Sequence, residues 1–327
     1  MTFKYNDIYI NATATIVGPY EANSPFNKLF DFNYDDLYFG LPTWEQAESK
    51  IINEVVDLLL KKYNITNADL LLSSDLLNQL AASNYAAVNT NFFYIGVYAA
   101  CASSALQLAL AACLIESGFI NNAICVTSSH NNGAEKQFRY PTEYGGPKPK
   151  SATFTATGSA AAFVSNKKSH IKIDSATIGK VIDSNLNDAF NMGGVMAKAA
   201  GDTIYNHLKE TSRDIDYYDL VLTGDLGVYG KKILTDYMKS EYNINLKNYN
   251  DSGTMLYNKD ICAGASGPVC LPLITYSYVF NEMNKKKLKR VLLVATGSLH
   301  STTMVYQKLT IPSIAHAISL EAIRWYI

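Results

Sequence analysis

Three pairs of segments recur in the same order in the two halves of the chain, and this recurrence restricts the fold more than any other feature. "DLLLSSDL" (69–76) is matched by "DLVLTGDL" (219–226), "NNAICVTSSH" (121–130) by "KRVLLVATGSLH" (289–300), and "GSAAAFVSN" (158–166) by "IAHAISLE" (314–321). Each is an apolar, β-rich run. The first two pairs end in small residues followed by Asp or His, as strands feeding loops do. A shared order of matches indicates a duplicated fold. The divide falls near residues 165–172, giving halves 1–168 and 169–327.

Helices are expected between the repeats. Thr43, with Gln46 three residues on, opens a capping box before a run in which Ile51, Ile52, Val55, Val56, Leu59 and Leu60 recur at helical spacing. Residues 103–116 are apolar nearly all round, which predicts a buried central helix. "FNMGGVMAKAAGDTIYNHLKE" (190–210) starts another helix in the second half. Strands alternating with helices predict an α/β architecture with mainly parallel sheets layered around buried helices. "PTEYGGPKPKS" (141–151) predicts a functional loop, and "NDSGT" (250–254) a simple turn.

In "YIGVYAACASSALQLALAACLIESGF" (94–119), Cys101 stands among alanines and serines between a strand-like and a helix-like run. A thiolate at a helix N-terminus is stabilised by the backbone N–H groups and the helix dipole, so this arrangement presents a nucleophile. The same position also suits a small apolar residue at a tight turn.

Net charge is −1, and lysine and arginine are read as dispersed over the elements. Neither nucleic acid nor a strongly anionic membrane surface is therefore expected as a partner. The five cysteines lie in apolar or small-residue runs at no metal-ligand spacing, which predicts reduced thiols and no metal site. The N-terminus "MTFKYNDIYI" lacks a basic start and an apolar run, so no secretory signal is expected. No charged residue occurs between Leu76 and Ile115, yet Asn78, Gln79, Asn89, Asn91 and Gln107 interrupt the run; buried globular elements, not a membrane span, are expected.

"VYAACASSALQLALAACLIESGF" resembles the nucleophile turn and buried helix of the thiolase and β-ketoacyl synthase superfamily. "SSDLLNQLAAS" (73–83), "TSSHNNGAEKQFRYPTEYGG" (127–146), "TGDLGVYGKKIL" (223–234), "AGASG" (263–267), "LLVATGSL" (292–299) and "IPSIAHAISLE" (311–321) together resemble the stage V sporulation protein AD family. That resemblance implies a thiolase fold, a duplicated αβαβα layered sandwich. It also implies binding of dipicolinic acid, free or as its calcium chelate, for uptake into the spore, without a cofactor. The implied partners are membrane proteins of the same spore complex, the implied location is soluble and peripheral to the spore inner membrane, and a homodimer is in keeping with thiolase folds.

The resemblance also frames the site. Condensing enzymes pair the cysteine with proton-handling residues of the second half. One such position follows a strand where this chain has Asp225, and a carboxylate there raises a thiol's pKa. The other lies in the Gly-rich turn, where the family implies His and this chain has Cys262. As a binding pocket, the same place would use Cys101, Ser128, Ser129, His130, Arg139, Asp225 and Cys262, with Arg139 for a carboxylate and Phe138 or Tyr140 to cover a ring. His170 and His207 are expected at the surface, His316 in the core, and of His130 and His300 only His130 precedes a motif able to build a site. Two other functions compete with binding: acyl transfer of the β-ketoacyl synthase III type on Cys101, and a structural docking component of a membrane complex.

Overall fold

The computed structural model describes residues 1–138, 148–257 and 261–323. Ten strands carry the pattern seen in the sequence: β1 (Tyr9–Val17), β2 (Leu70–Ser74), β3 (Phe93–Gly96), β4 (Asn122–Ser129) and β5 (Gly158–Ser165), then β6 (Ile171–Ile178), β7 (Leu220–Thr223), β8 (Tyr249–Asp251), β9 (Arg290–Ser298) and β10 (Pro312–Ala322). Their spatial order is β1-β5-β4-β2-β3 in the first half and β6-β10-β9-β7-β8 in the second, so the halves repeat strand for strand. Tyr9 and Ile10 of β1 pair antiparallel with Lys172 and Ile171 of β6 and join the two half-sheets. The three sequence pairs fall on β2/β7, β4/β9 and β5/β10.

Each half-sheet is mixed, which corrects the expectation of mainly parallel sheets. β2 runs parallel to β3 and β4, and β7 to β8 and β9. β5 and β10 instead return antiparallel beside β4 and β9. Helical crossovers enforce parallel pairing. They serve the outer strands, whereas the chain reaches β5 and β10 by turning back from the loops that follow β4 and β9.

Helices α1 (Trp44–Tyr63), α2 (Ser103–Glu116), α3 (Asn131–Phe138), α4 (Met192–Thr211) and α5 (Gly227–Tyr242) complete the layers. Thr43 caps α1, its hydroxyl accepting from Gln46 N, and Asn64 closes the helix in the left-handed region. The face of α1 with Ile52, Val55, Val56 and Leu59 packs on the outer side of the first half-sheet, and α4 with α5 covers the outer side of the second. Between the sheets lie α2 and the helical run Cys270–Ile274, Thr275–Val279 and Phe280–Asn284. α2 is enclosed over most of its surface, and one stripe, Leu106, Leu110, Cys113 and Leu114, stays half-buried or exposed. Ala105, Leu108, Ala109, Ala111, Ala112 and Ile115 of α2 are all buried. The layers are therefore αβαβα.

His316 is buried in β10, its Nδ1 accepting from Gly179 N (3.2 Å). His207 is not at the surface as expected: it is fully buried in α4, hydrogen-bonded to Thr177 Oγ1 (2.7 Å) and Tyr218 OH (2.6 Å). Its helix face carries Ile204 and Leu208 toward the sheet, and His207 lies between them with partners for both ring nitrogens. All five cysteines are free thiols. Among the described residues, no helix is long and apolar enough to cross a membrane.

Candidate functional site

Cys101 sits in the turn between β3 and α2. Ala100 just before it has φ 49°, a left-handed conformation that side chains with a Cβ rarely adopt. Ser103 fixes this turn, accepting from Ala99 N (2.8 Å) and donating to Ala100 O (2.7 Å). The turn rests directly on β9 of the other half. A Cβ at Gly297 would lie 2.4 Å from Ala99 O and 2.9 Å from Ala102 N, so only glycine allows the approach. The result is a half-buried thiol where the two halves meet.

The facing wall comes from the second half. Asp225, just after β7, is buried and lines the same cavity as Cys101. Its Oδ1 accepts from Thr296 Oγ1 (2.7 Å) and its Oδ2 from Gly267 N (3.1 Å). Burial pushes the Asp225 carboxyl up to about 7 against the pull of these hydrogen bonds. Burial and then the Asp225 charge push the Cys101 thiol well above the ordinary range for cysteine, with the Gly267 backbone acting in the opposite direction. Burial and charge both favour the protonated thiol over the thiolate.

Asp225 is held from behind by Asp251, which the sequence reading passed over as part of a simple turn. Asp251 is fully buried, accepts from Thr223 Oγ1 (2.7 Å), Leu226 N (3.0 Å) and Gly227 N (2.9 Å), and caps the short helix Ser252–Met255. Its carboxyl rises to about 6, chiefly through burial. Asp75, the counterpart of Asp225 in the first half, caps its own loop by accepting from Leu77 N and Ser83 N (both 2.8 Å).

The other sequence candidates scatter. Side chains along β4 alternate between the two faces of the sheet. Thr127 points inward, donating to Gln107 Oε1 of α2 (2.8 Å), while Ser128 points outward, donating to Glu48 Oε1 of α1 (2.9 Å). His130 follows Ser128: its Nε2 donates to Leu37 O (2.7 Å) and its ring packs on Phe39. Neither belongs to the cavity lining. Ser129 stands behind the wall, donating to Ala156 O (2.7 Å) and crowding Gly267. Cys262 is exposed, in a left-handed turn with φ 46°, and the cavity is lined instead by Ser266 and Gly267 from the end of that Gly-rich segment. Arg139 and Tyr140 lie outside the described residues, as do 141–147 of the predicted functional loop.

The cavity also contains a residue the sequence reading set aside. His300 lines it, with its ring 5.5 Å from that of Phe138 at the end of α3. The repeat had paired His300 with His130, but the strand registers make Ser298 the counterpart of His130 and carry His300 two residues further along the chain. Space directly against Cys101 is small, ≈ 40 Å³, enough for a few waters. Leu76, Phe138 and His300 are shared with an adjoining space of ≈ 620 Å³ that reaches Asn78, Gln137 and Thr303. Among the described residues, no group of three or more His, Cys, Asp or Glu side chains is placed to hold a metal ion.

Residues 1–321 match the family described as Stage V sporulation protein AD. The Bacillus subtilis (strain 168) protein "Stage V sporulation protein AD" is 44% identical over 319 residues, covering 96% of this chain and 94% of that one. Among solved structures, an OleA variant of Xanthomonas campestris is similar with a TM-score of 0.62 at 14% identity, covering 98% of this chain and 99% of the other. The 3-oxoacyl-[acyl-carrier-protein] synthase III of Aquifex aeolicus VF5 gives 0.55 at 14% identity, covering 96% and 99%. FabH of Pseudomonas aeruginosa PAO1 gives 0.58 at 9% identity, covering 98% and 100%. These likenesses concern the fold, which is that of the thiolase superfamily.

Proposed function

The chain belongs to the stage V sporulation protein AD family, and from that premise we propose that it is a non-catalytic thiolase-fold protein that binds dipicolinate, free or as its calcium chelate, for uptake into the spore. Its partners in this role are membrane proteins of the same spore complex, and its place is peripheral to the spore inner membrane. One observation carries the non-catalytic part: the buried carboxyl of Asp225 faces Cys101 across the cavity they share, and burial and then its charge hold the thiol in its protonated form. Acyl transfer needs a thiolate, and a carboxylate partner opposes its formation.

The lining supports the binding part. A planar diacid needs hydroxyl or N–H donors and a flat wall. In the larger adjoining space Asn78, Gln137, Ser301 and Thr303 offer amides and hydroxyls, His300 an imidazole and Phe138 a ring, while Thr153, Thr155, Ser266 and Ser298 line the narrow end against Cys101. The space against Cys101 is too small for such a ring, so the diacid occupies the adjoining volume and reaches toward Cys101 and Asp225. Because the Asp225 carboxyl titrates near 7, binding of a dianion tightens as pH falls through that value.

The test is isothermal titration with dipicolinate, with and without Ca²⁺, against an isomer whose carboxylates are displaced. Saturable binding of dipicolinate alone, lost on replacing Cys101 with a bulky residue, supports the reading. Absence of binding under both conditions overturns it. A second reading, acyl transfer on Cys101, rests on His300 sharing the cavity with the thiol. It requires mass addition on Cys101 from an acyl thioester, abolished by His300→Ala.

A further inference from the structure

Lysine and arginine are not evenly dispersed: the fold collects eight of the 28 at one end of the second half-sheet. The turn leading into β9 carries Lys285, Lys286, Lys287, Lys289 and Arg290. Strand pairing sets a second basic segment beside it. Arg290 of β9 is the register partner of Glu321 in β10, and Glu321 is in turn the partner of Lys172 in β6. Lys167 and Lys168, both exposed, lie in the turn just before β6.

Three carboxylates oppose these eight cations, and a fourth, Asp174 near Lys172, is balanced by its own ion pair with Arg213 (2.6 Å). Glu282 holds Lys285 (3.2 Å) and Lys287 (3.0 Å), and Glu321 holds Lys289 (3.4 Å) and Arg290 (3.7 Å). Asp219 is occupied by the backbone N–H groups of Lys289 (2.7 Å) and Arg290 (2.8 Å). The balance is +5 on a chain whose net charge is −1. Lys286, Lys167 and Lys168 have no acidic partner among the described residues. Lys285, Lys287 and Lys289 keep 52%, 66% and 60% of their side-chain surface in water despite their ion pairs.

We infer that this basic end docks the protein on an anionic phospholipid bilayer. Seven of the eight cations are lysines, point charges on flexible stems that suit a diffuse layer of headgroup phosphates. Recognition of an acidic peptide or a nucleic acid relies more on guanidinium forks and aromatic stacking. The single arginine is already committed, its guanidinium 4.2 Å from the centre of the Tyr217 ring and paired with Glu321. Leu288, the apolar residue within the run, packs inward on the core and supplies no wedge. Attachment is therefore electrostatic, peripheral and sensitive to salt. From Arg290 to Ser298, β9 rises about 26 Å, several times the ~8 Å screening length. Docking leaves the Cys101 cavity clear of the lipid, and the surface acts independently of the ligand read into that cavity.

The experiment is co-sedimentation of the full chain with vesicles of phosphatidylcholine alone and of phosphatidylcholine with about a third phosphatidylglycerol. The mixed vesicles should take up the protein, the neutral ones should not, and binding should fall steeply with added salt. Lys285→Gln/Lys286→Gln/Lys287→Gln should lower the partition coefficient roughly a hundredfold. Lys232→Gln/Lys239→Gln on α5 should bind as wild type, and unchanged thermal melts would certify the fold of both variants. Equal binding to neutral and mixed vesicles, no binding to either, or wild-type binding by the triple variant overturns the inference.

Discussion

Replacing Asp225 by asparagine should turn Cys101 from an inert thiol into a reactive one. Asparagine keeps the shape, its amide oxygen still accepting from Gly267 N and its NH2 donating to the Thr296 hydroxyl, but it removes the charge that faces the sulfur. Two unit charges about 4 Å apart at an effective dielectric of ~20 repel by ~4 kcal/mol. If relaxation and water recover half to two thirds of that, the thiolate population still rises roughly tenfold to thirtyfold. The assay is the rate of iodoacetamide alkylation at Cys101 across pH 6 to 9, read by peptide mass spectrometry. It is best done in a Cys262→Ser background, because Cys262 is the exposed competitor. At pH 8 the variant should alkylate at least tenfold faster than wild type. The advantage should shrink below about 7, where wild-type Asp225 takes up its own proton and the repulsion disappears. Equal rates at pH 8, or a faster wild type, would refute the claim that Asp225 suppresses the thiol.

Other outcomes follow from the same geometry. Glu21 and Asp225 titrate near 7 and Asp251 near 6, all raised by burial above their unfolded values, so the folded state holds these protons more tightly. The stability this confers is complete below about 4 and is lost as pH climbs to about 7, and Tm should fall over that interval. Glu21→Gln, which also keeps a partner for Tyr257, should flatten the fall. Leu108→Ala, in the enclosed helix α2, should cost about 2–5 kcal/mol in urea unfolding. Gly297→Ala should lower stability by at least about 1 kcal/mol and alter Cys101 alkylation, since its Cβ collides with Ala99 O at 2.4 Å.

The duplicated architecture was legible because each strand of one half has a partner of like polarity and like terminus in the other. The enclosed helix was legible because residues 103–116 have no polar face. Asp225 was legible as well, since strand β7 ends in the same "DL" as β2, and a carboxylate in place of an imidazole carries its meaning alone. What failed was direction. Ser128 and His130 look like site residues by proximity to Cys101 in the sheet, but Ser128 turns toward α1 and His130 toward Leu37 and Phe39 in the loop before it. Cys262 was read as the turn's contribution because only its residue type was weighed. Five residues on, the chain has brought Gly267 to Asp225 and into the cavity lining instead. Asp251 and the basic end escaped notice for a different reason: their partners are remote in sequence, Asp251 meeting Gly227 and Lys172 lying beside Glu321 and Arg290 only once the strands have paired.

Gly297 seats the Cys101 turn of one half against a strand of the other with no intervening side chain. Neither half, folded alone, would possess the cavity, because its floor and its facing wall are contributed separately. The site is thus a measure of how the halves register. Any event that slides one half-sheet against the other, whether a partner pressing on the outer helices or a substitution at the β1–β6 junction, changes the thiol's surroundings without touching it. The alkylation rate of Cys101 would then report strain anywhere along that seam.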